Sequence, residues 1–212
     1  METQSDNSQP LPDGAEKSRA SHIWARDPDD WYVEPEWCSE ALFAAVPFEG
    51  KICDPCCGLG RVLDAAAAAG YRTLGGDIRD RGASARHDFL QLDFFNTQIA
   101  LAAENIVCNP PYKFGDQFAQ EAVARAERKA ALLLRSDWAN AASRSRWLEA
   151  LPLRQVLAIS PRPSMPPGRV ILSEKKVGNG RQDYAWFVFE RGYEGKPEFG
   201  WLRRAQPLKT RP

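Results

Sequence analysis

The chain has 212 residues and carries 28 Lys and Arg against 28 Asp and Glu, so its formal net charge is zero. This length fits one α/β domain with a substantial core and is short for two domains. No apolar run reaches membrane-spanning length, and the polar first 21 residues lack the pattern of a signal peptide. We therefore expect a cytoplasmic protein that does not enter a membrane.

The cysteines indicate reduced thiols rather than disulfides or a metal centre. They number five, at positions 38, 53, 56, 57 and 108. This is an odd number without a pairing rhythm, and no second Cys or His pair follows Cys53 and Cys56 at ligand spacing. We expect no bound metal.

Composition divides the chain into a tail, a domain and a second tail. Residues 1–26 are rich in Ser, Pro, Asp and Gln, which predicts a disordered N-terminal tail. The domain is expected to span 27–202, and 203–212 form a C-terminal tail. A helix is predicted to begin at Pro35. Trp31 and Tyr32, just before it, are either core residues or a pocket wall.

A strand, a glycine turn and a helix follow one another from Lys51. The strand ends at Asp54, the turn contains Pro55, Gly58 and Gly60, and an alanine-rich helix runs to a glycine at position 70. Glycines at a helix N-terminus allow a ligand to approach the exposed N–H groups. A second strand ends in Asp77 and Ile78, where a carboxylate accepts hydrogen bonds from ribose hydroxyls in nucleotide-binding folds.

Asp88 and Phe89 form an acidic and aromatic pair near another predicted strand end. Asp88 is expected to accept a hydrogen bond from the exocyclic amine of a bound adenine, and Phe89 to line the face of the ring. The alternative is an exposed loop aspartate beside a core phenylalanine.

The predicted strand 103–108 runs into a rigid polar corner formed by Asn109, Pro110, Pro111 and Tyr112. Two prolines fix φ and remove two backbone donors, so nearby carbonyls stay available. An amide oxygen and a carbonyl beside an aromatic ring suit the binding of a planar NH2 group. The alternative interpretation is a simple proline turn.

The last third of the chain supplies further strands and a basic loop. A helix is predicted over 114–129 and strands over 130–134, 155–160 and 184–190. Residues 161–212 hold 11 Lys and Arg against 5 Asp and Glu. The long loop 161–183 suits a polyanion, although a solvated charged tail is the alternative. The candidate nucleic-acid contacts are Arg162, Arg169, Lys175, Lys176, Arg181 and Trp138.

The order strand-Asp-x-x-x-Gly-x-Gly, strand-Asp, Asp-Phe, strand-Asn-Pro-Pro-Tyr resembles the class I S-adenosylmethionine-dependent methyltransferases that methylate amines. From Trp31 to Trp201 the chain is similar to small adenine-N6 DNA methyltransferases of phages and prophages. The resemblance implies a Rossmann-like α/β fold. It would have a seven-stranded, mostly parallel sheet with its last strand antiparallel and helices on both faces.

The resemblance also implies roles for the residues of these motifs. Asp54, Gly58 and Gly60 would hold the methionine part of S-adenosylmethionine, Asp77 its ribose, and Asp88 with Phe89 its adenine. The segment from Trp31 would close over the methionine end. Asn109, Pro110 and Tyr112 would form the catalytic corner, with Tyr112 stacked on a flipped base. No metal or nucleophilic side chain is needed.

DNA is the polymer that the resemblance favours. An RNA base and the amide of a protein glutamine offer the same planar amine and remain alternatives. A non-catalytic module that binds the cofactor or a nucleic acid is an alternative of a different class.

Overall fold

A computed structural model describes residues 27–96, 103–173, 178 and 180–205. The predicted N-terminal tail, Lys175 and Lys176 lie outside the described residues. The strands are β1 (Ile52–Asp54), β2 (Thr73–Asp77), β3 (Phe89–Gln91), β4 (Ala103–Cys108), β5 (Ala126–Arg135), β6 (Leu153–Ser160), β7 (Tyr184–Glu190) and β8 (Glu198–Arg203). The α-helices are α1 (Glu36–Ala45), α2 (Arg61–Ala68), α3 (Gly115–Arg125), α4 (Ala142–Leu148) and α5 (Gly168–Leu172).

The strands form one sheet in the order β3-β2-β1-β4-β5-β7-β6-β8. β7 is antiparallel to both of its neighbours, and the other adjacent pairs are parallel. The predicted α/β class with a mostly parallel sheet is confirmed. Parallel neighbours require crossover connections, which the α-helices between β1 and β2 and between β4 and β5 provide.

The sheet has eight strands rather than the predicted seven, and its last strand is not the antiparallel one. After β7 the chain turns at Gly192, which has a positive φ of 80°, and returns as β8 beside β6. No strand was predicted after 184–190, and Arg203 was assigned to the C-terminal tail. The alternating residues of β8, with Leu202 facing the core, are typical of a half-buried strand.

Apolar clusters cover both faces of the central strands. Every residue of β7 from Tyr184 to Phe189 is buried. On one face Phe187 and Phe189 pack with Phe118 of α3, and on the other Trp186 packs with Leu42 of α1. This burial fixes the central strands, so the loops at their carboxyl ends are attached to a rigid scaffold.

The segment before α1 crosses the carboxyl edge of the sheet and is tied to the loop after β6. Tyr32 forms a β-bridge with Pro167, Val33 N–H donates to the Pro166 carbonyl, and Gly168 N–H donates to the Trp31 carbonyl. We call residues 29–34 the strap. None of the helices in the described ranges has the length and apolar character needed to cross a membrane.

Candidate functional site

An open cavity of about 250 Å³ lies at the carboxyl ends of β1, β2 and β4. The strap forms one wall, and the turn after β1 forms another. The predicted site residues that line it are Trp31, Tyr32, Asp54, Pro55, Gly58, Asp77, Ile78, Asn109 and Pro111. Residues from four separate predictions therefore meet in one place.

The glycine turn between β1 and α2 has the conformation that glycine permits. Gly58 and Gly60 have positive φ values of 50° and 84°. Gly58 N–H donates to Asp77 Oδ2 over 2.9 Å, and a Cβ at Gly58 would lie 2.8 Å from Trp31 Nε1. Gly60 caps α2 and does not line the cavity, since its Cα faces Ala83 and His87. Gly60 therefore serves the conformation of the turn and forms no part of the cavity wall.

Three buried carboxylates concentrate negative charge around the cavity: Glu34, Asp54 and Asp77. Burial raises the pKa of each, and most strongly that of Asp54, despite hydrogen bonds from backbone N–H groups. Repulsion by Glu34 and Asp77 makes a smaller contribution to the raised pKa of Asp54, and the attraction of Arg61 makes a smaller, opposing contribution to the pKa of Glu34. Such a set of acids is suited to a cationic ligand.

Asn109 is held in one orientation by the strap. Its Nδ2 donates to the Tyr32 carbonyl over 3.0 Å and to the Glu34 carboxylate over 2.8 Å. Its Oδ1 is buried and has no hydrogen-bond partner among the described residues. The Arg61 guanidinium donates to the Glu34 carbonyl over 2.7 Å and so fixes the strap to α2. Glu34 was not predicted, because no local motif marks it.

Tyr112 occupies a different place from the one predicted. Its ring stacks on Tyr32, with centroids 5.9 Å apart and planes at 19°, and its other neighbour is Tyr184 at 5.6 Å. It does not line the cavity. The Tyr32 and Tyr184 rings flank the Tyr112 ring, so its predicted role as the base-stacking residue is not supported. Phe114 lines the cavity and is 42% exposed.

Asp88 and Phe89 also lie away from the cavity. Phe89 packs with Cys57, Leu63 and Ala83 behind the glycine turn, and Asp88 is exposed. The alternative interpretation, an exposed aspartate beside a core phenylalanine, is therefore the one observed. The residues that line the cavity are Asp93, Phe94 and Phe95, just beyond β3.

Asp93 and Phe94 repeat the same Asp-Phe dipeptide five residues later, so the sequence contained a second candidate. Asp93 Oδ1 accepts from the Phe95 backbone N–H over 3.0 Å, and the Phe94 ring stacks on Phe118 at 5.3 Å. This tight turn directs the acid and the aromatic residues toward the cavity. The sequence pattern placed the end of this strand too early in the chain. Because β3 ends at Gln91, the second pair is the one that follows the strand.

The predicted nucleic-acid contacts that the structure describes are either buried or engaged with other groups of the protein. Trp138 is only 7% exposed, packs edge-on against Phe187 and donates Nε1–H to Asp116. It is a core residue, so its predicted role is wrong. Arg162 is paired with Asp183 at 2.7 Å and Arg169 with Asp27 at 3.3 Å. Arg181 also has an interaction within the protein.

Two thiols and an acid meet beside the cavity, and of these Asp54 and Cys56 contribute to its lining. The ligand atoms of Asp54, Cys56 and Cys108 lie within 4.8 Å of one another, a spacing that a metal ion could bridge. Burial raises the pKa of both thiols, which favours their neutral form. Cys56 Sγ lies 3.7 Å from the Asn109 carbonyl and helps to fix the corner.

Neither the comparison with family models nor that with curated proteins finds a match. Solved structures do match. Magnesium protoporphyrin IX methyltransferase from Synechocystis PCC 6803, solved with S-adenosylmethionine bound, is 13% identical over 74% of this chain and 79% of its own, with a TM-score of 0.51. The chain has the methyltransferase fold.

Two further structures agree in fold. A dimethyladenosine transferase from Plasmodium falciparum is 13% identical over 76% of this chain and 63% of its own, with a TM-score of 0.52. A predicted O-methyltransferase from Agrobacterium tumefaciens is 16% identical over 79% of this chain and 85% of its own, with a TM-score of 0.50. These similarities concern the fold, which hosts many substrates.

Proposed function

We propose that this protein is an S-adenosylmethionine-dependent methyltransferase that methylates an exocyclic amine, with adenine N6 in DNA as the substrate. The observation that carries the proposal is the orientation of Asn109. Its NH2 group is occupied by Tyr32 and Glu34, and its buried Oδ1 has no partner among the described residues. A buried acceptor without a donor is costly, so this oxygen is suited to receive an N–H from a ligand.

The cavity fits the cofactor by charge. S-adenosylmethionine has an ammonium and a sulfonium group against one carboxylate, so its net charge is positive. Acids outnumber basic residues in the lining of the cavity: six acids face three basic side chains, Arg61, Arg81 and Lys113. Asp54 would hold the methionine end under Trp31 and Tyr32. Asp77 would accept the ribose hydroxyls.

The adenine of the cofactor would lie against Ile78 and Phe94, with Asp93 accepting from its amine. These residues line the same side of the cavity, whereas Asp88 and Phe89 do not. The bound cofactor supplies an electrophilic methyl group on sulfur. No side chain of the protein has to form a covalent bond, because the attacking atom is the amine nitrogen itself.

The corner orients that amine. Asn109 Oδ1 and the Pro110 carbonyl would accept its two N–H groups, which favours a pyramidal nitrogen whose lone pair is available for attack. A base in a duplex must be flipped out to reach the corner. We assign the stacking contact to Phe114 at the cavity rim rather than to Tyr112. The similar fold of a dimethyladenosine transferase is consistent with a base as the acceptor.

Transfer of a labelled methyl group to DNA, RNA or protein tests this function. We expect label in DNA, recovered as N6-methyladenine after digestion, and a loss of about 10²–10³-fold in Asn109→Ala, the range seen when one preorganised polar contact is removed. Cofactor affinity should be retained in this variant. Undiminished transfer would refute the role of Asn109, and label only in RNA or protein would refute the choice of polymer. Cofactor binding without any transfer would support the non-catalytic module.

The assignment of the adenine site predicts different effects for two neighbouring aspartates. Asp93→Ala should weaken cofactor binding roughly tenfold, the scale of one lost hydrogen bond in a partly buried site. Asp88→Ala is the matched control and should leave the affinity unchanged, because Asp88 is exposed outside the cavity. Calorimetric titration of both variants measures this. Equal losses of cofactor affinity, or a larger loss in Asp88→Ala, would contradict the assignment of the adenine site to Asp93.

A further inference from the structure

The strand β8, which the predicted seven-stranded sheet lacks, exposes two large aromatic side chains. Phe199 and Trp201 are each 61% exposed, and their rings meet edge to face with centroids 4.9 Å apart. Leu202 lies on the opposite side of the strand and is buried in the core. The two rings therefore share the side of the strand that faces water, and the strand is anchored by its other side.

The neighbouring part of the sheet on this side is also apolar and incompletely covered. Phe199 lies beside Val156 and Trp201 beside Ala158 of β6, and both of these are half-buried. Within the described residues no element covers the Phe199 and Trp201 rings. An exposed apolar patch of this kind on a soluble protein marks an interaction surface more often than an isolated exposed leucine does.

The uncompensated charge beside these rings is positive. Arg203 follows on the same side of β8, is exposed and forms no ion pair within the described residues. The acid of the strand, Glu198, is matched by Arg154 at 3.1 Å. An exposed aromatic pair next to an available guanidinium group is suited to bases and a phosphate together.

We propose that Phe199, Trp201 and Arg203 form a platform that binds a single-stranded flank of the nucleic-acid substrate. This inference rests on the proposed function, because it extends the surface that holds the same substrate. Bases would stack on the two rings, and the Arg203 guanidinium would neutralise a phosphate. We assign the nucleic-acid contact to this platform rather than to the predicted basic loop, because Arg162 and Arg169 of that loop are paired with acids.

The position of β8 sets the length of nucleic acid that can reach both places. β8 is parallel to β6, so its carboxyl end with Arg203 lies at the same edge of the sheet as the Asn109 corner. Four strand spacings separate β4 from β8, which is about 19 Å at roughly 4.8 Å per strand. At about 3.4 Å per stacked nucleotide this distance corresponds to six or more nucleotides.

Binding of a fluorescein-labelled single-stranded oligonucleotide of about 15 nucleotides, measured by anisotropy, tests the platform. Trp201→Ala and Phe199→Ala should each weaken binding roughly 5- to 150-fold, the range for one base stacked on an aromatic ring. Leu172→Ala is the matched control, because Leu172 is equally exposed at 64% but lies on α5. Equal affinity of Trp201→Ala and Leu172→Ala would overturn the proposal.

Salt dependence and oligonucleotide length provide two independent checks. Replacing Arg203 with alanine should reduce the slope of log K against log[salt] by about 0.7, the contribution of one phosphate contact on a single strand. A trinucleotide can occupy the platform without reaching the Asn109 corner, so its binding should still weaken in Trp201→Ala. An unchanged slope would overturn the arginine contact, and a trinucleotide insensitive to Trp201→Ala would overturn stacking on the platform.

These measurements need neither cofactor nor methyl transfer, so they are distinguishable from a failure of the proposed function. If Asn109→Ala transfers methyl groups normally while Trp201→Ala loses oligonucleotide binding, the catalytic proposal fails and the platform stands. The competing occupant is a second copy of the chain. Sedimentation that shows a dimer dissociated by Trp201→Ala, with no change in oligonucleotide binding, would replace the platform by a dimer interface.

Discussion

Asn109→Asp should reduce methyl transfer by about 10²–10³-fold while the protein still binds S-adenosylmethionine. The change keeps an acceptor oxygen but removes the NH2 group that donates to Glu34 and to the Tyr32 carbonyl. A carboxylate at 109 would then face the buried Glu34 carboxylate, and a close pair of like charges in a buried site is strongly unfavourable. We expect the side chain to rotate away and to lose the orientation of its remaining oxygen.

A second substitution should restore part of this loss. In Asn109→Asp combined with Glu34→Gln, the glutamine NH2 can donate to the carboxylate, so donor and acceptor are exchanged across the same contact. We expect the double variant to regain at least tenfold in the single-turnover rate, with the Tyr32 carbonyl limiting full recovery. Glu34→Gln alone should be affected less than Asn109→Asp, because its Oε1 still accepts from Asn109.

The non-additivity of this cycle identifies Glu34 as a positioning residue for Asn109. Rates under single turnover and cofactor affinity by calorimetry are the two measurements needed. If the double variant is as slow as the product of the single effects predicts, the Glu34 contact does not govern catalysis. An equal fall in cofactor affinity in all variants would instead indicate a purely structural role for the strap.

Asp54→Asn should stabilise the cofactor-free protein at neutral pH and weaken cofactor binding at least tenfold. Burial raises the pKa of Asp54 well above its usual range, so the folded state holds a proton that the unfolded state releases as the pH rises above about 4. The stability of the unchanged protein therefore falls as the pH rises through the raised pKa. Asparagine carries no charge and still accepts from the Cys56 N–H, so this penalty is removed.

The expected signature is a difference in Tm between Asp54→Asn and the unchanged protein that is near zero at pH 4 and grows toward pH 8. Asp64→Asn is a control of opposite sign. Burial of Asp64 is outweighed by hydrogen bonds from Arg86 and His87, which lower its pKa, so its ionised form contributes stability above about pH 4. That variant should have a lower Tm at neutral pH. Parallel pH profiles for the two variants would contradict the burial of charge at Asp54.

Local sequence patterns located much of the site because the chain forms it from short, continuous pieces. The strand at 103–108 has the predicted bounds, and the corner with Asn109 follows it directly. The glycine turn between β1 and α2 and the acid that ends β2 are also where strand, turn and helix signals place them. Such signals are encoded within a few residues, so they can be read without knowledge of the rest of the chain.

Local sequence patterns gave the wrong prediction where a segment suited two structures almost equally well. The helix predicted over 114–129 ends at Arg125, and β5 begins at Ala126, because pairing with β4 and β7 decides the conformation of residues that also favour helix. In the same way, the choice between two Asp-Phe dipeptides depended on the exact end of β3. Trp138 resembled an exposed aromatic contact and is buried by β7.

The sequence by itself determined the α/β class, the glycine turn with Asp54 and Asp77, and the corner at Asn109, since each is a contiguous pattern with its own physical cause. Only the tertiary structure decided that Glu34, 75 residues away in the chain, holds the Asn109 amide. The same is true of the enclosure of Tyr112 and of the exposure of Phe199 and Trp201. Burial and long-range contacts depend on how all the strands are ordered in the sheet, and no local pattern contains that order.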